Sequence, residues 1–475
     1  MKVVLALPPI SSPIKANFVD TFDNESGQYP PIGLLYLAAY LKANSSHEVT
    51  ILDCQAENLS HKNAASRLKI LQPDVLGIHC LTFHYLDCLK LAENAKIAWP
   101  DVTVVVGGPH VHIFPEETLL QSPIDYSMVG EAEVTFSKFV EYVNGSIPRD
   151  HVEGLYFLNR AGEPELTKPN PLLPDLDLMP NPARELTNVS LYNSVLAKRS
   201  SATTLMTSRG CPFTCIYCDR PALGKTFRAR SSKNVVDEIE ECIQLGITEF
   251  NIFDDTFTID RKRVVKICEE IIARGLNIRW SCRSRVHLVS PEILTWMKRA
   301  GCGRISFGVE TADDRVGKIL QKGADVAQAE KAIAMTKEAG IEVLADFIIG
   351  SPGETKTEID STIEFALRTN PTFAQFSIMT PYPATKLYQM GLNEYKLYDH
   401  DHWREFATNP SPDWETPIWN QHFSKEELVS MCEEAYNRFY IRPTFIARQL
   451  KELQSFGEFV RKARAGLKIL SLRLN

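Results

Sequence analysis

The stretch Ser208-Arg-Gly-Cys-Pro-Phe-Thr-Cys-Ile-Tyr-Cys-Asp219 places three cysteines, Cys211, Cys215 and Cys218, within eight residues. Thiolates are soft ligands, and three of them on one short loop can hold three irons of a four-iron four-sulfur (4Fe-4S) cluster. The fourth iron then has no protein ligand and stays open to a small molecule. An open corner on an electron-donating cluster is a place for chemistry rather than a structural staple. A structural zinc site requires four closed ligands, commonly as paired C-x2-C elements. Here one C-x2-C is present and no partner pair follows it. Zinc and coincidental cysteines are the readings that compete with an iron–sulfur enzyme.

Outward from this loop, residues 201–383 alternate strand and helix. Strand patterns fall at 203–207, 249–253, 278–283, 304–309, 343–349 and 373–379, and helical patterns at 233–245, 262–274, 291–300, 328–339 and 358–367. Six such units suit a partial (β/α)6 barrel. Buried parallel strands often read as continuous apolar runs, yet these carry polar groups at one parity. Ile278, Trp280 and Cys282 alternate with Arg279, Ser281, Arg283 and Arg285; Ile305, Phe307 and Val309 alternate with Ser306, Gly308 and Glu310. Asn251, Asp255, Asp346, Gln375 and Ser377 extend the polar set. Packing the apolar parity against helices turns the polar parity inward. A lumen lined with Arg, Glu and Asp is costly unless it binds something polar or zwitterionic.

Upstream, residues 1–145 alternate five times, with strands at 3–7, 49–54, 75–81, 102–106 and 126–129 and helices such as 32–43 and 83–98. Short, nearly all-apolar strands separated by helices predict a doubly wound, Rossmann-like domain, with its ligand at the carboxyl ends of the strands. Residues 146–200 read as a hairpin and a proline-rich linker, with six prolines between Pro164 and Pro182. Residues 384–475 read as a mainly helical C-terminal domain. From Arg442 to Asn475 there are eight Lys or Arg against two Glu, which suits a helix packed on the barrel or one touching a membrane surface.

Bulk composition fits this division. A chain of 475 residues exceeds one core. At 44% hydrophobic, 23% charged and net charge −7, it gives no reason to expect nucleic acid as a partner. No apolar run reaches the ~18 residues of a membrane span, and the opening residues read as a first strand rather than a signal. Eleven cysteines without a regular framework suit reduced thiols in a cytoplasm.

Together these motifs resemble the cobalamin-binding-domain radical S-adenosylmethionine (SAM) proteins, class B of the radical SAM methyltransferases. The anaerobic magnesium-protoporphyrin ester cyclase has the same domain order. The resemblance is carried by the C-x3-C-x2-C loop with Tyr217 before its last cysteine, and by Gln28-Tyr-Pro-Pro-Ile-Gly-Leu-Leu-Tyr-Leu-Ala-Ala-Tyr40 and Val105-Val-Gly-Gly-Pro-His110. In the barrel it is carried by Phe253-Asp-Asp-Thr-Phe257, Phe307-Gly-Val-Glu-Thr311, Ile348-Ile-Gly-Ser-Pro-Gly-Glu354 and Thr380-Pro-Tyr-Pro383.

The resemblance implies that Cys211, Cys215 and Cys218 bind the 4Fe-4S cluster and that the amino and carboxylate groups of SAM chelate the fourth iron. It implies Tyr217 against the adenine, Asp254 and Asp255 near the methionine amino group, Glu310 at the ribose or amino-acid part, and backbone at Ile349 and Gly350 approaching the adenine. Arg283, by charge and parity, is a candidate for the SAM carboxylate. Asp254 could instead cap the next helix, and Arg283 could pair with Glu310 or Asp346.

Cobalamin would lie at the strand ends that carry Pro8, Leu81, Thr82, Gly107, Gly108, His110, Gly130 and Glu131. Gly107 and Gly108 would let backbone pack against its nucleotide tail and Thr82 would hydrogen-bond to it. His110 reads either as a cobalt ligand or as a loop histidine. Many cobalamin proteins place D-x-H-x-x-G after the first strand. Here Leu7-Pro-Pro-Ile-Ser-Ser-Pro13 holds no histidine, which leaves the lower cobalt ligand open.

The implied activity is C-methylation of an unactivated carbon through a 5′-deoxyadenosyl radical and methylcobalamin. A radical cyclase or ring-rearranging enzyme without methyl transfer is the alternative. A methylthiotransferase with a second cluster on Cys54, Cys80 and Cys88 is a further one, and a cobalamin or redox sensor is the non-enzymatic one. The substrate class is open between a small molecule, a lipid and a protein side chain, and an electron donor such as flavodoxin or ferredoxin is implied. The run Tyr398-Asp-His-Asp-His-Trp-Arg404, with Trp414 and Trp419, could close the barrel mouth, bind a metal through His400 and His402, or pack the C-terminal domain.

Overall fold

The apolar runs become the parallel strands of two sheets. A computed structural model describes residues 1–14, 28–192, 197–198, 202–219 and 224–451. In the first sheet, β1 (Lys2–Leu7), β2 (Glu48–Asp53), β3 (Val75–His79), β4 (Thr103–Gly107) and β5 (Tyr126–Met128) are parallel, and β6 (Leu155–Leu158) and β7 (Pro164–Leu166) add antiparallel in the order β2-β1-β3-β4-β5-β6-β7. Helices such as Ile32–Asn44 and Tyr85–Ala98 cover its two faces and enclose two apolar cores. The order turns back between β1 and β3, which puts ligand-binding loops at the carboxyl edge.

The hairpin expected in the linker belongs to this sheet. Strand β5 would otherwise be an open edge, and Ser127 and Met128 pair instead with Tyr156 and Leu155. An unpaired edge exposes backbone donors and acceptors, so the sheet takes the nearest compatible hairpin.

The second sheet is wholly parallel, in the order β15-β14-β13-β12-β11-β8. Its strands are β8 (Ala202–Leu205), β11 (Glu249–Ile252), β12 (Arg279–Ser284), β13 (Cys302–Glu310), β14 (Glu342–Ile349) and β15 (Phe373–Ile378). The expected parity is present: Trp280, Cys282, Ile305, Phe307, Ala345 and Phe347 are buried under the helices. Ser281, Arg283, Ser306, Gly308 and Asp346 keep solvent access on the other face. Between β8 and β11 a short antiparallel clip, β9 (Ser208–Arg209) with β10 (Arg228–Ala229), brackets the cysteine loop at its base.

C-terminal helices hold the two halves together. In helix His402–Thr408, Phe406 enters the core of the first domain, while Trp403 packs edge-on to Phe83 and donates its indole N–H to the Pro381 carbonyl. Helix Lys425–Tyr440 seals the outer face at β15. Tyr398 and Trp403 of the run at 398–404 therefore pack the C-terminal domain, while His400 and His402 gather with Asp399 at its surface, their ligand atoms within 4.8 Å of one another. Most of the basic tail, 452–475, lies outside the described residues. No described helix is long and apolar enough to cross a membrane.

Candidate active site

The cysteine loop is shaped before any ligand arrives. Gly210 sits at φ +81°, and a side chain there would collide with the Thr226 carbonyl, so the turn into Cys211 requires glycine. Cys211 and Cys215 are buried and Cys218 is exposed, all three as free thiols. The Thr207 N–H and hydroxyl (2.6 Å each) and the Ser208 hydroxyl (2.5 Å) all donate to Asp254. Asp254 is 1% exposed, so this carboxylate braces the strand that leads into the loop rather than facing a methionine amino group. Helix Arg261–Ala273 takes its cap from Asp260 instead. Asp255 is exposed, and Thr256 Oγ1 lies 3.9 Å from Cys211 Sγ.

Beside the loop, Tyr217 donates its hydroxyl to Glu310 (3.0 Å), and Lys322 donates to the same oxygen (2.6 Å) and to the Tyr217 oxygen (3.3 Å). Burial, with Glu310 next, raises the Tyr217 phenol well above its usual range and keeps it a donor. A side chain at Gly308 would occupy the space of Glu310 Oε1 and Lys322 Nζ, which is the physical content of the glycine in Phe307-Gly-Val-Glu. Glu310 adopts φ +72°, strained for a residue with a side chain, at a register shift in β13. Lys322 carried no motif and was missed in the sequence.

Deeper in the lumen stand two ionisable side chains, Arg283 and Asp346, without hydrogen-bond or ion-pair partners among the described residues. Arg283 is exposed and its guanidinium makes no hydrogen bond or ion pair to a described residue; it lies 5.4 Å from the Phe253 ring centre. The internal pairing with Glu310 or Asp346 does not form. Asp346 likewise has no hydrogen-bond partner among the described residues. Burial, then Glu310, pushes its carboxyl up to about 7 against the opposing charges of Arg283 and Lys322. Ile349 points into the outer core. Gly350 faces Leu428 (2.6 Å from a modest side chain placed there), and its N–H donates to Glu354.

The carboxyl edge of the first sheet meets this loop directly. Glu131, expected at cobalamin, is instead the node of the junction. Arg209, two residues before Cys211, reaches Glu131 (3.2 Å) and Glu133 (2.5 Å). Arg228 reaches both Glu131 oxygens (2.7 and 2.9 Å), and the Leu173 N–H adds 2.7 Å. Burial opposes ionisation of Glu131, yet the Arg228 hydrogen bond and the Arg209 charge hold its pKa below the usual range. Gly130 packs under Asn170, whose amide donates to the Val129 and Glu131 carbonyls.

His110 is fully buried between Tyr85 and Phe114, with Nδ1 3.3 Å from Thr82 Oγ1. Burial drives its pKa down to about 3, so it is a neutral core histidine behind the edge rather than one projecting from it. Gly108, at φ +114°, is demanded by the Cys80 carbonyl, 2.8 Å from where a Cβ would stand. Pro8 is buried and its carbonyl accepts from Gln55. Leu81, Thr82 and Gly107 are partly exposed on the edge. Two histidines there were missed: His79, ending β3 and held neutral by burial with a pKa near 4, and His112, which accepts from the Gly130 N–H and feels the charge of Asp219 beside Cys218.

Cys54, Cys80 and Cys88 are buried in the first core. Burial pushes the Cys54 thiol up to about 12 and the Cys80 thiol well above its range, as expected of packing cysteines.

The residues present fit the cofactors. A buried arginine donates to a cysteine of the loop, the lumen offers an unpaired guanidinium to a carboxylate, and at the strand ends Ile10 and Phe253 stay 50% and 46% exposed, apolar surface that a macrocycle would cover. The fold and the site thus define an enzyme that sets an iron–sulfur loop against the ligand edge of a doubly wound domain.

Comparison with known proteins agrees. Residues 205–366 match the radical SAM superfamily and residues 22–140 the B12 binding domain. The chain is 34% identical over 98% of each chain to an uncharacterized methyltransferase of Pyrococcus horikoshii. It is 31% identical to the anaerobic magnesium-protoporphyrin IX monomethyl ester cyclase of Cereibacter sphaeroides, covering 88% of this chain and 68% of that one. The fold matches that of the radical SAM methyltransferase TsrM from Kitasatospora setae with cobalamin and cluster bound (TM-score 0.71, 15% identity, 99% of each chain). The chain belongs to the radical SAM superfamily, among its members with an N-terminal B12-binding domain, and its cofactors are a 4Fe-4S cluster, SAM and cobalamin.

Proposed function

We propose that the protein methylates an unactivated carbon of a small molecule. The observation that carries this reading is the ion-paired junction of Glu131 and Glu133 with Arg209, which sets the carboxyl edge of the first sheet beside the cysteine loop. Radical formation and methyl delivery must converge on one carbon, and convergence is what such a junction supplies. When bound, the cluster supplies the electron that splits the sulfonium of SAM and cobalamin supplies a methyl carrier.

The chain's own residues do the placing. Arg283 holds the SAM carboxylate by a charge-assisted pair. Glu310, fixed by Lys322 and Tyr217, presents its second oxygen to the ribose or ammonium, and Tyr217 lines the adenine side. Leu81, Thr82 and Gly107 border cobalamin. Asp346, its carboxyl pushed up to about 7, is protonated below that pH and can then donate as well as accept a hydrogen bond at the lumen's centre. Free cysteines throughout and an oxygen-sensitive cluster suit the cytoplasm, with a flavodoxin- or ferredoxin-like protein as electron donor.

Radical ring formation without methyl transfer is the second reading, favoured by the identity to the cyclase. Anaerobically reconstituted protein, given methyl-labelled SAM and a panel of small molecules, is expected to yield labelled product with deoxyadenosine and S-adenosylhomocysteine. Cys215→Ala protein, one anchor short, serves as the blank. Deoxyadenosine formed with an altered but unlabelled substrate would replace methylation by the second reading.

A further inference from the structure

Arg285 lies in the loop that follows β12 and is 7% exposed. Its Nη1 donates to Cys215 Sγ at 3.2 Å, and its guanidinium carbon lies 4.0 Å from the ring centre of Phe213, the aromatic residue between Cys211 and Cys215. It forms no ion pair with a described carboxylate, and its buried Nε has no hydrogen-bond partner among the described residues. Among the other buried arginines, Arg263 also forms no ion pair with a described carboxylate, but it donates to two backbone carbonyls, of Arg230 and Thr207. Arg184 and Arg230 face Glu238, and Arg209 faces Glu131 and Glu133.

A buried cation is costly without a counter-charge. What faces Arg285 is a loop of three thiols. Once these are thiolates around a cubane, their charge outweighs that of the iron–sulfur core, and each electron gained makes the assembly more negative. The missing anion is therefore the cluster itself.

We infer that Arg285 is the built-in counter-charge of the cluster, easing its reduction through a fixed cation and an N–H to the Cys215 sulfur. Hydrogen bonds to cluster sulfurs and nearby charge are among the protein's means of setting a cluster's potential. A positive charge stabilises the reduced form more than the oxidised one, so its removal lowers the midpoint potential. Stacking on Phe213 holds the guanidinium ready, so little reorganisation accompanies electron arrival. The role does not depend on whether the radical leads to methylation or to ring closure.

The test is a redox titration of the reconstituted full chain, following the reduced cluster by electron paramagnetic resonance, for wild type, Arg285→Lys and Arg285→Gln. With iron content matched, Arg285→Gln is expected to show about a tenfold lower ratio of reduced to oxidised cluster at a fixed reductant potential, equivalent to about 59 mV for one electron. Arg285→Lys is expected to lie between it and wild type. An unchanged midpoint in fully loaded Arg285→Gln overturns the inference. If Arg285→Gln fails to load iron, Arg285→Lys decides: recovery of iron supports a charge role. Loss of iron from both variants, with the fold retained by circular dichroism, leaves only packing on Phe213 and overturns it.

Discussion

Asp346 and Arg283 face a common lumen without neutralising each other. The folded-state pKa of Asp346, about 7, lies above the 3.8 of an unperturbed carboxyl, chiefly through burial. Between those values the folded chain keeps a proton that the unfolded chain has released. Its contribution to stability therefore falls as pH rises from about 4 to about 7 and stays low above. In cofactor-free protein Asp346→Asn should remove this dependence, stabilising the chain by about 1–3 kcal/mol at alkaline pH and by progressively less toward about pH 4. Thermal melts across that range check it; parallel curves for the two proteins would dismiss Asp346 as the source. Single residues were also where the sequence misled. Asp254 and Glu131 read as ligand-facing carboxylates, and both are spent on internal donors. The chemistry of a carboxylate is the same in either setting, so only its neighbours separate the two.

At the scale of elements, an open six-stranded barrel leaves β15 with an unpaired edge. Helix Lys425–Tyr440 covers that edge with two phenols. The Phe376 N–H donates to the Tyr436 oxygen (3.1 Å), whose hydroxyl donates to the Phe376 carbonyl (3.0 Å). Tyr440 does the same for Ala374, at 3.1 and 2.7 Å. The spacing works because four helical residues rise about 6 Å and two strand residues about 6.6 Å. Tyr436→Phe and Tyr440→Phe should each cost about 1–3 kcal/mol by leaving a buried N–H without an acceptor. Hydrogen exchange across 373–378 should accelerate at the matching amide, Phe376 or Ala374, and an unaltered rate would reduce the phenols to packing. Strand and helix positions were legible from periodicity to within a few residues. The phenol pairs were not, because their acceptors lie some 60 residues away in sequence.

At the scale of the molecule, the glutamates at the end of β5 and the arginines around the cysteine loop join two independently wound domains. Because Glu131 is ionised more readily when folded, its contribution is present above about pH 4.5 and is lost as pH falls below that. Arg209→Met strips Glu133 of this partner and leaves Glu131 with Arg228. The expected loss is about 3 kcal/mol or more, seen as a lower melting temperature and faster proteolysis of the 167–182 segment, whereas Arg209→Lys should fall between. A melt and cleavage pattern identical to wild type would show that the domains are held elsewhere, for instance by Phe406 and Trp403.

The sequence alone determined the cluster loop, the parallel strands of both sheets, the inward polar face and the family, because each depends on local spacing: thiols on one turn, alternation along one strand, glycine where the backbone demands it. Tertiary structure alone decided which charges are consumed and which are left over. Glu131 became a joint, Asp254 a brace and Arg285 a cation facing the thiols, since these outcomes depend on distances between residues far apart in the chain, and electrostatic energy in a buried site is set by those distances.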